Sequence, residues 1–475
     1  MKVKIDTRPL PVVIASRWWR FPVYLLLGYG LYHFYQSPPP EGLSLEGFRA
    51  LVVFLACLVL WVFHLLPLPI TGLFSLIAPV LMGVMPAKQA FSFFGSEPVF
   101  FILGVFILAA ALLKSGLSTR IALLLLRSAG HSPKRLLLQI MAASALLSFV
   151  MSEHAVAAMM FPLILVITRT LQFIPYGGSY GRLLFLAMAW GCIIGGIATM
   201  LGGGRVPLAV GMLQEAGQET ITFLQWTSAV LPVVLITFLA GYLVLTRFYT
   251  IDVDSVANAD DLITTKLREC GRPLLEEKFL ALLVVGAIVG WTLWGNRFGM
   301  ATISILVVVL LFMFRVVEWK DLEENVDWGI ILMYGGAIGL STILNSTGAG
   351  LWLVKTQVLP HLGSPWLLVS LLSLVSLLLT EALSNSAVVA ILVPLGLSIA
   401  PTVGIDPKII VYTVASAAGL GYALPISTPA MALAFSGGYF RIKDIVLPAL
   451  LMDLISWLAL MATARLWWPL LGIRI

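Results

Sequence analysis

Long apolar runs fill the chain and are separated by short polar segments. Runs near 21–36, 47–66, 69–86, 97–115, 181–213, 221–247, 278–295, 299–317, 327–345, 407–439 and 443–468 predict eleven helices able to cross a hydrocarbon layer about 30 Å thick. Two further runs, 135–174 and 366–403, are too long for a single crossing, and polar residues interrupt each near its centre. They predict two re-entrant helical hairpins. The runs 181–213 and 407–439 carry centres so rich in Gly and Pro that a regular helix cannot persist there. Their freed peptide groups must find partners in protein, water or ligand, so such breaks are expected to line a cavity.

Composition sharpens this into an all-α polytopic membrane protein. Apolar residues make up 60% and charged residues 11%, against roughly 25% charged in ordinary soluble proteins, and the mean hydropathy is +1.01. Little chain is left for a separate catalytic domain. The net charge of +6 speaks for topology rather than nucleic-acid binding. With Lys2, Lys4, Arg8, Arg17 and Arg20 in a retained cytoplasmic arm, alternate crossings place Lys114, Arg120, Arg127, Lys134 and Arg135 inside. Arg182, then Arg247, Lys266, Arg268, Arg272 and Lys278, then Arg315 and Lys320, and finally Arg441 and Lys443 follow on the same side. That asymmetry fits the positive-inside rule and the proposed count. Cys57, Cys192 and Cys270 are scattered, which argues against a disulfide framework or a zinc cluster. His33, His64, His131 and His361 fall near predicted span ends.

The chain also matches itself at one offset. Gly104 and Gly336, Gly116 and Gly348, Pro133 and Pro365, Ser152 and Ser384, and Pro162 and Pro394 are each separated by 232 positions. Shared hydrophobicity would align Leu and Val rather than glycines and prolines. The pattern predicts residues 1–46 as an arm and first span, a first repeat over 47–247, a cytoplasmic linker over 248–277 and a second repeat over 278–475. Each repeat holds five crossings and one hairpin. An odd number of crossings makes the repeats inverted, the usual architecture of secondary transporters, with the site near the midplane.

The first hairpin tip reads Ser148-Phe149-Val150-Met151-Ser152-Glu153-His154, the second Thr380-Glu381-Ala382-Leu383-Ser384-Asn385-Ser386. The first broken helix carries Gly202-Gly203-Gly204-Arg205-Val206-Pro207, the second Ser427-Thr428-Pro429-Ala430. Carbonyls freed at a tip can hold a small cation, while a helix restarting after it offers N–H groups to an anion. This ordering of hairpin, broken helix and repeat resembles the divalent-anion:sodium symporter family, whose tips carry Ser-Asn-Thr and whose breaks carry Thr-Pro-Pro-Asn or a variant. The resemblance spans nearly the whole chain. Ser384-Asn385-Ser386 and Ser427-Thr428-Pro429 keep much of the pattern in the second half. In the first, Ser152-Glu153-His154 and Gly203-Gly204-Arg205-Val206 depart from it.

The resemblance implies a sodium ion among Thr380, Leu383, Asn385 and Ser427, and a corresponding first set of Ser148, Ser152, Glu153 and Gly202. It further implies that His154, Ser386 and Thr428 face a small anion, that the protein is a homodimer, and that it moves its cargo by an elevator-like shift; Arg205, Asn385 and Pro429 are added as candidate anion-binding residues. Glu153, His154 and Arg205 are ionisable where the family is neutral, and lone charges at membrane depth demand partners. Arg205 either neutralises Glu153 in place of a sodium ion, or contacts the anion while Glu153 and His154 exchange protons. A snorkelling role for Arg205, and capping roles for Ser384, Asn385 and Ser386, are the plainer alternatives.

The sequence thus points to a secondary transporter of a dicarboxylate, tricarboxylate or inorganic oxyanion, coupled to sodium or protons, with no cofactor beyond a sodium ion. An anion channel or uncoupled exchanger would share the architecture. An intramembrane hydrolase built on Ser152 and His154 lacks both a Gly-x-Ser-x-Gly elbow and a zinc-binding pair. Compact loops and the absence of appended domains suggest a bacterial inner membrane.

Overall fold

A computed structural model describes residues 21–358, 360 and 364–473. The basic arm before Phe21, His361 and Arg474 lie outside these residues. The described chain is helical throughout, with no strand. Ten of its helices are long and apolar enough to cross a membrane. Their outer faces carry leucines at helical spacing, as in Leu235, Leu239 and Leu243 or Leu447, Leu450, Leu454 and Leu458, all exposed. A surface this apolar suits hydrocarbon rather than water.

After α1 (Phe21–Gln36), the chain forms α2 (Leu45–Val62), α3 (Leu68–Leu81), α4 (Ala87–Ser92), α5 (Glu97–Lys114) and α6 (Leu117–Arg127). The first hairpin follows as α7 (Pro133–Leu147) and α8 (Glu153–Thr170). The broken helix is α9 (Ser179–Gly196) and α10 (Arg205–Glu215), and α11 (Phe223–Phe248) closes the first half. α12 (Ala257–Glu269) lies in the linker. The second half runs α13 (Leu275–Phe298), α14 (Met300–Met313), α15 (Trp319–Asn325), α16 (Trp328–Ser346) and α17 (Ala349–Leu353). Its hairpin is α18 (Pro365–Ala382) and α19 (Asn385–Val403), followed by α20 (Pro407–Ala417), α21 (Pro429–Ser436) and α22 (Ile442–Leu466).

Two expected spans are shorter than the hydropathy suggested. α3 and α14 have 14 residues each, where 69–86 and 299–317 were expected to be helical. Apolar residues continue past Leu81, but Gly83 turns the backbone left-handed at φ +70°. Arg315, at φ +55°, does the same beyond α14. The linker also differs from an unstructured connection. Arg120 forms a two-pronged ion pair with Glu277 at 2.7 and 3.0 Å and donates to the carbonyls of Gly271 and Cys270 at 2.8 Å each. Asp252 accepts the backbone N–H groups of Ser179 and Tyr180, capping the start of α9.

The 232-residue offset recurs in helix bounds and packing. α3 and α14 begin and end 232 apart. Gly116 and Gly348, each left-handed, precede α6 and α17. A Cβ on Gly336 would lie 2.0 Å from the Gly72 carbonyl, and one on Gly104 would lie 2.5 Å from the Ser304 Cβ. These two close approaches, α16 on α3 and α5 on α14, are matching contacts between the two halves.

Candidate functional site

Each hairpin reverses where a serine caps the second arm. Ser152 and Ser384 adopt nearly identical extended conformations and accept the N–H groups of Ala155 and Ala387 at 3.3 Å. The first tip leaves five residues, 148–152, between its arms, whereas the second leaves only Leu383 and Ser384. Each tip is laced to the break that follows it. Glu153 donates its backbone N–H to the Gly202 carbonyl at 2.9 Å, and the Thr199 hydroxyl donates to the Phe149 carbonyl at 2.6 Å. In the second half the Glu381 carboxylate accepts the consecutive N–H groups of Tyr422, Ala423 and Leu424 at 2.6–3.1 Å. Peptide groups freed by the break are satisfied there by a side chain, as membrane depth requires.

Tips and breaks meet around a cavity of about 560 Å³, a size suited to a small ligand. Helices α8, α10, α19 and α21 all begin at its wall, with Glu153, Arg205, Asn385 and Pro429 as first residues. Four helix N-termini directed at one space form a place of positive potential. The expected anion-facing residues His154, Arg205, Asn385, Ser386, Thr428 and Pro429 all line it. Their exposures differ. His154 and Pro429 are open to the space and Ser386 is half-buried, while Arg205 and Thr428 are 1% and 2% exposed. Thr428 caps α21 by accepting the Met431 N–H.

Arg205 is therefore no snorkelling residue. Its Nη1 reaches the Glu153 carboxylate at 3.3 Å, and the guanidinium is encased by glycine backbone. A Cβ on Gly419 would lie 2.4 Å from Nε, and one on Gly203 would lie 2.5 Å from Nη1. The other Glu153 oxygen accepts the Asn385 amide at 3.1 Å. Asn385 in turn accepts the Thr380 hydroxyl at 2.8 Å, and that hydroxyl lies 2.7 Å from the Ala418 carbonyl. A continuous chain thus runs from Arg205 through Glu153 and Asn385 to Thr380. Glu153 and Asn385 are 232 positions apart, so equivalent residues of the two halves bond to each other.

The expected cation sets differ in character. Around the second tip, Thr380, Asn385, Ser427 and the carbonyls of Ala418 and Gly421 bring oxygens together, with Leu383 buried and extended beside them. In the first, Ser148 lies buried near the Cys192 thiol, and Ser152 and Gly202 flank Glu153. There the carboxylate faces a guanidinium. No hydrogen bond joins Glu153 to His154 among the described residues. The sequence reading also missed the cavity's outer wall. Glu324, Asn325 and Asp327, all exposed, place its mouth at the loop between α15 and α16.

The fold has solved counterparts. Neisseria gonorrhoeae MtrF, described as illuminating a class of antimetabolite efflux pumps, aligns with a TM-score of 0.50 at 15% identity, over 78% of this chain and 82% of its own. The Alcanivorax borkumensis YdaH transporter aligns with a TM-score of 0.52 at 17% identity, over 80% and 87%. In sequence, the sodium-dependent dicarboxylate transporter SdcS of Staphylococcus saprophyticus is 27% identical over 444 residues, covering 88% of this chain and 85% of that protein. Its Staphylococcus aureus counterparts match to the same extent. The sodium:sulfate symporter transmembrane region matches residues 16–474, and the chain belongs to that family of secondary transporters, the divalent-anion:sodium symporters, rather than to any class of enzyme.

Proposed function

We propose that the protein carries a small dicarboxylate across the membrane by alternating access, coupled to sodium at the second hairpin, with Arg205 serving as a built-in cation at the first. The observation that carries this reading is the Arg205–Glu153 pair, buried among the residues where the resemblance implies the first sodium ion. A permanent guanidinium there supplies the positive charge that an ion would otherwise bring. Dicarboxylate is favoured over sulfate by the SdcS relatives and by a cavity spacious for a four-carbon acid. Its carboxylates would meet the N-termini of α8 and α19, with His154 and Ser386 as the accessible side chains.

The two halves, 47–247 and 278–475, then act as inverted repeats, with the hairpins entering from opposite faces of the membrane. With Arg315 and Lys320 on the cytoplasmic side, the mouth at Glu324 and Asp327 faces the cytoplasm. Dimerisation through the helices away from the hairpins would leave the hairpin-bearing part free to shift, as in an elevator.

Uptake of labelled succinate, citrate and sulfate into proteoliposomes, with sodium and proton gradients imposed independently, tests the reading. Succinate uptake driven by sodium, with fewer sodium ions per substrate than SdcS measured alongside, is the expected result. Uptake indifferent to sodium would remove the second-site assignment, and ohmic currents well above carrier turnover would favour a channel.

A further inference from the structure

Asp453 lies in the middle of α22, away from the cavity, and is 4% exposed. Neither carboxyl oxygen has a hydrogen-bond partner among the described residues. Helices α11, α18 and α20 pack against α22. From α18 comes Glu381, whose charge acts on Asp453 with the same sign. From the break after α20 comes the buried Tyr422 phenol, bonded at 3.2 Å to Ser456, one turn along α22 from Asp453. From α11 comes Thr237, beside Tyr422 and uncharged. The basic residues on these helices and on α22 itself, Arg247, Lys408, Lys443 and Arg465, all stand in the first or last turn of their helices, and Lys408 is paired with Glu219. An ionised carboxylate so placed has no counter-charge and a like charge nearby, an arrangement that low-dielectric surroundings penalise heavily.

We propose that Asp453 is a proton-binding site that controls the second cation site from behind. The link is Glu381. Its carboxylate holds Tyr422, Ala423 and Leu424 in place. Gly421 and Ser427, on either side of that segment, belong to the oxygen cluster at the second tip. With Asp453 protonated, Glu381 keeps its grip on the loop and the oxygens stay gathered. Loss of the proton sets a second negative charge against Glu381 and loosens the loop that shapes the cation site. No bond other than the O–H of Asp453 forms or breaks, and the proton comes from water on whichever side the site faces.

This proposal rests on the transport reading only for its consequence, so two measurements are paired. Infrared difference spectra of the purified full-length protein, titrated from mildly acidic to mildly alkaline pH, should show a protonated-carboxyl stretch at neutral pH. The band should vanish in Asp453→Asn and persist in Glu381→Gln. In proteoliposomes, the sodium concentration giving half-maximal succinate uptake should rise roughly fivefold or more with pH in the wild type and stay flat in Asp453→Asn. Asn mimics the protonated acid in shape, so this variant is expected to fold. A band unchanged by Asp453→Asn overturns the proposal whether or not succinate is carried. So does a variant that keeps the wild-type pH dependence, or a band that sodium weakens at fixed pH, which would make Asp453 a sodium ligand, since reciprocal coupling requires sodium to strengthen the band.

Discussion

Arg205 and Glu153 illustrate how one buried charge makes another necessary. Either alone, at 1% or 5% exposure, would be an uncompensated ion in the protein interior, and breaking such a pair typically costs about 3–5 kcal/mol. Glu153→Asn and Arg205→Ala should each lower thermal stability strongly in detergent. The double variant should lose less than the sum, with a coupling of about 1–3 kcal/mol. If Arg205 replaces an ion, the double variant should also gain a sodium-dependent stabilisation absent from the parent, because Asn at 153 restores the family's neutral tip. Additive losses with no response to sodium would count against the replacement. The glycines around Arg205 make the same point sterically. Gly419→Ala puts a methyl 2.4 Å from Nε, so its effect should run through Arg205 and shrink in an Arg205→Ala background.

At the scale of elements, each tip is fastened to its break by different chemistry. The first uses backbone and Thr199, the second a carboxylate holding three peptide N–H groups. Glu381→Gln replaces one acceptor oxygen with an amino group facing donors, and hydrogen bonds to charged groups are each worth about 1.5–3 kcal/mol. A loss of about 2–3 kcal/mol in unfolding free energy is expected, together with weaker sodium-dependent uptake. Unchanged stability would mean that the three bonds are replaced by water. Much of this element-level picture was legible in the sequence. Polar residues inside apolar runs marked both tips, and Gly and Pro marked both breaks, because each departs from what hydrocarbon tolerates. The ends of α3 and α14 were not legible, since Met82 and Val84 keep the run apolar past the turn at Gly83. Nor was the linker's attachment, which depends on Arg120 finding Glu277 across 157 residues. The Glu153–Asn385 bond could have been found. Equivalent residues of two symmetric halves meet when they lie near the axis relating them, and the offset named this pair. Asp453 also carried a signal, being an acidic residue inside the predicted span 443–468.

For the whole molecule, the cavity's walls are built from matching parts of both halves, while the exposed Glu324, Asn325 and Asp327 on its lining come from the second half. Helices α3, α5 and α16 contribute Leu68, Phe106 and Met333 to one wall, and the tips and breaks form the other. If the hairpin-bearing part moves against α3, α5 and α16, side chains at the tips must change the side from which they can be reached, whereas those at the mouth must not. His154 and Asp327, both exposed, are suitable reporters of the two classes. Cys57 and Cys192 are buried, so replacing the half-buried Cys270 by Ser leaves a background of low reactivity. His154→Cys should then react with an impermeant thiol reagent from the cytoplasmic side at rest, be protected by succinate, and become reactive from the opposite side under a sodium gradient with substrate. Asp327→Cys should react from the cytoplasmic side under every condition. Reactivity of His154→Cys confined to one side throughout the transport cycle would rule out alternating access at this cavity. Reactivity from both sides without substrate or gradient would instead indicate a continuous pore, an outcome that the close approach of Gly336 to Gly72 argues against.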